Sequence, residues 1–333
     1  MLSAQPTIDT PDESPIDLIP GDSRLTTFPI VRHDMFAWYE DATSCFWTVN
    51  EVSPTQDISD YATKLSPGER QFVDHVLAFF AAADGIVNIN LAERFRKDID
   101  ILEVRYFYDY QIMAENVHAH TYSILLDAII PAAADRARLL NAAKTVPVVA
   151  DMSDYMKACA SSDEPFAARL LRMACVEGIF FTGCFCAIYW LSQRGVMPAL
   201  AHSNELIARD EALHTMFAMF LYTRLKAECK LSAEDIVRIV TEAVELAKKF
   251  VIGSLPSGLA GMNATLMSTY IECQADNLVA LIDVPPIYGA ACPFNFMDQQ
   301  NMRNRTNFFE RRVSEYMKTQ QPDVGDFDVA TDF

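Results

Sequence analysis

The chain has 333 residues, 51% of them hydrophobic and only 11 of them Gly, and its formal net charge is −18. No long basic run accompanies that charge, which argues against tight binding to nucleic acid or to an anionic membrane surface. Eight cysteines without a Cys-x-x-Cys pair, several of them in apolar stretches, read as reduced core thiols of an intracellular protein rather than a disulfide framework.

Residues 1–24 are rich in Pro, Asp and Ser, carry no secretory signal, and are expected to form a flexible arm. A short helix is expected over Met35 to Val49. The first strong start signal is Ser66-Pro67-Gly68-Glu69, in which Ser66 caps, Pro67 takes the first helical position and Glu69 closes a capping box. Phe72, Val76, Phe79, Phe80, Ala83, Val87 and Leu91 then recur at helical spacing, predicting a helix to about Arg96. Further helices are predicted over Ile101–Ile130, Pro165–Gln193, Ser203–Cys229, Ser232–Ile252 and Ala264–Ile282. The most apolar run, Gly178 to Leu191, is too short to span a bilayer and reads as a buried helix with Glu177 at its edge. The pattern after Pro285 is irregular, and residues 320–333 form an acidic stretch expected to be disordered. The expected organisation is one all-α domain over residues 25–319 with a flexible tail at each end.

Four of these helices carry a repeated pattern. Glu115-Asn116-Val117-His118 and Glu211-Ala212-Leu213-His214 each place a carboxylate and an imidazole three residues apart, on one helix face. Asp84, after Phe79-Phe80-Ala81-Ala82-Ala83, and Glu177, between Cys175-Val176 and Gly178-Ile179, are lone acids in apolar settings, costly unless paired or metal-bound. One acid from each of two helices plus Glu-x-x-His from each of two others is the dinuclear metal pattern of ferritin-like helical bundles. Asp84 stands where the usual pattern has Glu, but its side chain is still a competent hard oxygen ligand. Mixed carboxylate and imidazole ligation suits iron or manganese. His120 is off the His118 face and is not expected to ligate; His33, His75 and His202 read as structural or exposed.

Tyr122 lies four residues after His118 and seven after Glu115, on the same face. Phe181 and Phe185 follow Glu177 by four and eight, and Ile207 precedes Glu211 by four, so all three could wall the phenol from water. By itself such a tyrosine is an ordinary core residue. Beside a metal site it gains a second reading, a shielded redox group.

Taken together, the stretches Ser44-Cys45-Phe46-Trp47-Thr48, Ala83-Asp84-Gly85-Ile86-Val87-Asn88, Glu115-Asn116-Val117-His118 with Tyr122, Val176-Glu177-Gly178-Ile179-Phe180-Phe181, Ser203 to Glu211 and Thr306-Asn307-Phe308-Phe309-Glu310 closely resemble the class I ribonucleotide reductase small subunit, in its eukaryotic and viral branch. The resemblance implies a ferritin-like bundle in which Asp84, Glu115, His118, Glu177, Glu211 and His214 hold two iron ions, and in which oxygen converts Tyr122 to a stored radical shielded by Phe181, Phe185 and Ile207. It implies that Trp47, Asp210 and His118 form a transfer chain from the centre. It implies that Tyr316 passes the radical equivalent to the large subunit, and that the C-terminal tail docks on that subunit. A cytoplasmic homodimer, with no nucleic-acid or membrane partner, is expected with it. Asp210, one residue before Glu211, is also placed by spacing alone to accept a hydrogen bond from a ligand histidine. No Gly-rich phosphate loop occurs, so nucleotide binding is assigned to the large subunit. Manganese, alone or with iron, is the alternative metal. An iron-storage protein also accounts for the six ligands, but not for Tyr122, Trp47, Tyr316 or the tail; a dinuclear oxygenase or oxidase, the second alternative, predicts a substrate channel and turnover without a large subunit.

Overall fold

The computed structural model describes residues 24–255 and 262–297. Contacts divide the chain into two units, Met1–Pro293 and Phe294–Phe333. In the second only residues 294–297 are described, a short helical turn in which the Phe294 and Phe296 rings meet at 5.3 Å. The C-terminal tail with Tyr316, and the arm before Arg24, lie outside the described residues.

The first unit is helical, with no strand among the described residues. Its helices are α1 His33–Ser44, α2 Thr55–Thr63, α3 Pro67–Asn90, α4 Leu102–Ile129, α5 Ala133–Leu140, α6 Ala142–Thr145, α7 Pro147–Ser161, α8 Phe166–Cys175, α9 Thr182–Gln193, α10 Pro198–Arg224, α11 Ala233–Ser254 and α12 Ala264–Ala280. Two wide turns with π-type pairing interrupt the long runs: Leu91–Phe95 prolongs α3, and Val176–Phe181 joins α8 to α9.

The long helices form where the apolar spacing places them. At the start of α3, Ser66 Oγ accepts from the Glu69 amide at 3.3 Å while the Ser66 amide donates to Glu69 Oε2 at 2.7 Å, the reciprocal box read from sequence. Ser232 caps α11 by accepting from the Asp235 amide. The core runs along α3, α4, the α8–α9 run and α10, with Leu77, Phe79, Phe80, Phe107, Phe180, Phe181 and Phe217 removed from solvent. Burying each such ring contributes about 1.5–3 kcal/mol. The α8–α9 run and α3 are both long and apolar enough to cross a membrane, but the most apolar window of Phe166–Gln193 is 89% buried in the protein, which makes it a core helix. Five of the eight cysteines are buried.

Three parts of the chain depart from expectation. α2 and α5 to α7 are additional helices. α2 buries Asp57 and Asp60 beside Tyr61, so its inward face is polar and shows no hydrophobic period. α5 and α6 are short, with 8 and 4 residues separated at Asn141, and the 15-residue α7 begins anew at Pro147. α10 begins at Pro198 rather than Ser203, because its cap comes from elsewhere in the chain. Asp57 accepts from the Ala199 and Leu200 amides at 2.9 and 2.8 Å, and Asp60 from the Met197 amide at 3.0 Å. Carboxylates at a helix N-terminus answer both its unpaired amides and its dipole. α1 ends at Ser44, which frees Trp47 to turn inward from an extended segment.

Candidate metal centre

α4 and α10 bring the two Glu-x-x-His faces together. His118 Nδ1 lies 3.3 Å from Glu115 Oε2 and 2.9 Å from Glu211 Oε1, and His214 Nδ1 lies 3.1 Å from Glu115 Oε1 and 3.2 Å from Glu211 Oε2. Both imidazoles therefore turn Nδ1 toward the shared centre. Glu177 arrives from the wide turn Val176–Phe181, where the extra residue per turn shifts the side chain relative to a regular helix. Donor atoms of Glu115, Glu177, Glu211 and His214 all lie within 4.8 Å of one another. Asp84 comes from α3, and all six residues are at most 1% exposed.

The electrostatics of this pocket call for cations. Burial pushes the Asp84 carboxyl well above the usual range, and the charges of Glu115 and Glu211 add to the effect. Burial does the same to Glu177, with Glu211 and Glu115 again contributing. Burial also opposes ionisation of Glu115, but hydrogen bonds from His118 and His214 hold it at about 2. Asp84 Oδ1 and Oδ2 and Glu177 Oε2 have no hydrogen-bond partner among the described residues. Unpaired buried carboxylate oxygens are costly, and four carboxylates around two imidazoles match the charge and donor preference of two divalent ions. The residues present fit a dinuclear centre.

A second layer holds the donors in place. Asp210 Oδ2 accepts from the Trp47 indole at 2.7 Å and lies 3.2 Å from His118 Nε2, while its Oδ1 accepts from Arg209. A proton on Nε2, shared with Asp210, leaves the Nδ1 lone pair free for the centre. Arg209 also donates to the Cys45 carbonyl at 2.6 Å, tying α10 to the segment that carries Trp47. The Trp47 ring stacks on His118 at 5.9 Å and 19°. Trp47, Asp210 and His118 thus form one contiguous group. On the opposite side Gln111 Nε2 donates to Glu177 Oε1 at 2.8 Å.

Tyr122 is fully buried, and its hydroxyl has no hydrogen-bond partner among the described residues. Burial, then the charge of Asp84, drives its pKa far above the ordinary phenol value. Phe80 stacks on it at 4.5 Å and 4°, and Phe181 and Phe185 pack on Phe80 at 5.4 and 5.1 Å. Ile207 is buried one turn before Glu211. Phe181 and Phe185 therefore meet the tyrosine's wall through Phe80, which the sequence reading placed on the apolar stripe of its helix but not in that wall. Phe80 and Gln111 were both findable: each lies four residues before a ligand, Asp84 and Glu115, on the same face. His120 and His202 are exposed, and His75 pairs with Ser254 at 3.2 Å, away from the centre.

The fold and site define a helical protein with a buried carboxylate–histidine centre beside a shielded phenol. Residues 24–293 match the model of the ribonucleotide reductase small chain family. The sequence is 46% identical over 306 residues to the ribonucleoside-diphosphate reductase small chain of Nicotiana tabacum, covering 92% of each protein. It is 44% identical over 301 residues to the small chain of vaccinia virus, strain Ankara, covering 90% of this protein and 93% of that one. Among solved structures it matches the ribonucleotide reductase Rnr4 homodimer of Saccharomyces cerevisiae at 32% identity and a TM-score of 0.77, covering 90% and 92%. The chain belongs to the ribonucleotide reductase small chain family, and it is the small subunit of a ribonucleoside-diphosphate reductase, an oxidoreductase that acts with a large subunit.

Proposed function

We propose that this subunit generates and stores a tyrosyl radical on Tyr122 for ribonucleotide reduction by the large subunit. The observation that carries this reading is the Tyr122 hydroxyl, sealed beneath Phe80 with no hydrogen-bond partner among the described residues and under the charge of Asp84. Asp84, Glu115, His118, Glu177, Glu211 and His214 hold the metal. Two iron ions bound there supply the one-electron oxidising power drawn from oxygen; manganese is the alternative metal. The raised phenol pKa keeps the proton on Tyr122 until the electron leaves, so loss of both is coupled. Phe80, Phe181, Phe185 and Ile207 exclude water and reductants from the product. Hydrogen-bonded contact along His118, Asp210 and Trp47 offers a path for the stored equivalent outward, and Tyr316 continues it to the large subunit.

The acidic tail that ends in Phe333 is assigned to docking on the large subunit, where a short segment orders on binding. The homodimer named for the yeast relative is proposed for this protein as well. Between Phe79 and Ala92 the only charged residue on α3 is the buried Asp84, and Ile89 on that helix is 54% exposed, a face suited to a second copy. The proposed location is the cytoplasm. Deleting Asp326 to Phe333 tests the docking role: the truncated protein should load metal and form radical like wild type yet lose capture of the large subunit and nucleotide reduction. Retained capture would contradict the assignment.

A further inference from the structure

Two small cavities lie next to each other on the Glu177 side of the centre. The inner one is bordered by Glu177 and His214, with Leu91, Phe95, Tyr108 and Met173. The outer one is bordered by Ile86, Val87, Met156, Met173 and Val176, and rimmed by Cys159 and Arg172. Ile86, Cys159 and Arg172 keep 9, 7 and 7% exposure, so the outer cavity lies just beneath the surface. Met173 belongs to both. Consecutive residues face one cavity each: Asn90 the outer and Leu91 the inner, Val176 the outer and Glu177 the inner. These two steps fall where the wide turns Leu91–Phe95 and Val176–Phe181 begin, so both departures from regular helix frame the same passage.

We propose that these cavities form the route by which dioxygen reaches the metal centre, with the Met173 side chain as its gate. The inference rests on the oxygen chemistry proposed above. Each cavity at rest has space for about one water-sized molecule, so dioxygen, or the larger xenon atom, enters as the flexible Met173 side chain shifts. Methionine is unbranched, with a flexible thioether, and Met173 borders both cavities, so its displacement would join them. Among the described residues its polar contact is a weak one, from Asn90 Nδ2 to Met173 Sδ at 3.9 Å. The outer rim is held in place. Burial pushes the Cys159 thiol up to about 11, so it remains protonated, and Arg172 is engaged by Glu164 at 2.7 Å and Glu242 at 2.9 Å.

Xenon pressurisation of metal-free crystals reads the route without metal or turnover. Xenon is expected in both cavities; an inner cavity that stays empty, or holds an ordered water that xenon does not displace, would overturn the route even if the centre reacts with oxygen. Stopped-flow mixing of ferrous-loaded protein with oxygen reads the gate. Met173→Phe should bind the same amount of ferrous iron as wild type and react at least about tenfold more slowly with oxygen, while Met173→Ala reacts no more slowly than wild type. Ala218→Leu, which fills the inner cavity from α10, should also slow the reaction and stands in if Met173→Phe does not fold. Wild-type rates in filled variants that carry their iron would overturn the gate. Xenon in both cavities with no oxygen uptake by the ferrous wild type would instead overturn the oxygen chemistry itself.

Discussion

A carboxylate withdrawn from water needs compensation, and Glu103 and Asp84 receive it in different ways. Glu103 accepts from Arg24 through both oxygens, at 3.0 and 2.7 Å, and from the Val31 amide at 2.9 Å, pinning the segment before α1 onto α4. Burial opposes its charge, but Arg24 and these amides hold its pKa below the ordinary value. A carboxyl with a depressed folded pKa contributes stability above its unfolded value, near 4.5, and loses it as pH falls through the folded one. Glu103→Gln should therefore cost about 2 kcal/mol at pH 7, with wild type and variant converging in acid, as read by denaturant titration across pH. Equal stability at pH 7 would show that the segment is not held by this charge. Asp84 has no such partners, and its pKa moves the other way. In metal-free protein Asp84→Asn should stabilise the fold by about 1–3 kcal/mol of relieved desolvation, read as a higher unfolding temperature, while iron bound per protomer drops from about two to about one. A lower unfolding temperature in the metal-free variant would mean that Asp84 is satisfied without metal.

At the scale of elements, the centre depends on how closely the α8–α9 run approaches its neighbours. A Cβ built on Gly178, the residue after Glu177, would sit 2.9 Å from Thr215 Cγ2 and 3.3 Å from Leu278 Cδ1. Thr215 follows the ligand His214, so this contact couples two ligand-bearing segments. Gly178→Ala should destabilise by about 1–3 kcal/mol in thermal unfolding and weaken iron retention against a chelator. Unchanged retention would uncouple that packing from the site. The wide turn that carries Glu177 was not legible in the sequence, because a single extra residue in a continuous apolar run leaves no period to detect. The start of α10 was hidden for another reason: Asp57 and Asp60 cap it from about 140 positions away, and local signals point to Ser203 instead. The helices that present Asp84, Glu115, His118, Glu211 and His214 were legible, since each pairs an apolar stripe with polar residues at three- and four-residue spacing. Phe80 and Gln111 obey the same spacing and were overlooked beside the ligands themselves. Tyr316 and the tail lie outside the described residues, and the roles proposed for them concern the large subunit.

For the whole molecule, the bundle joins three features that a storage protein or a simple oxidase does not need together. These are a buried cluster of four carboxylates and two imidazoles, a phenol sealed from water on one side of it, and the Trp47–Asp210–His118 contact leading away on another. The rigid α4, which carries Gln111, Glu115, His118 and Tyr122 over successive turns, sets the spacing between metal and phenol, so replacing Tyr122 should leave the metal-binding core intact. The most direct test is electron paramagnetic resonance after adding ferrous iron and oxygen to the metal-free protein, for wild type and Tyr122→Phe, with iron stoichiometry measured on both. The account predicts a tyrosyl radical in wild type, none in Tyr122→Phe, and equal iron in the two. A radical that survives in Tyr122→Phe, or iron-loaded wild type that yields no radical, would contradict it.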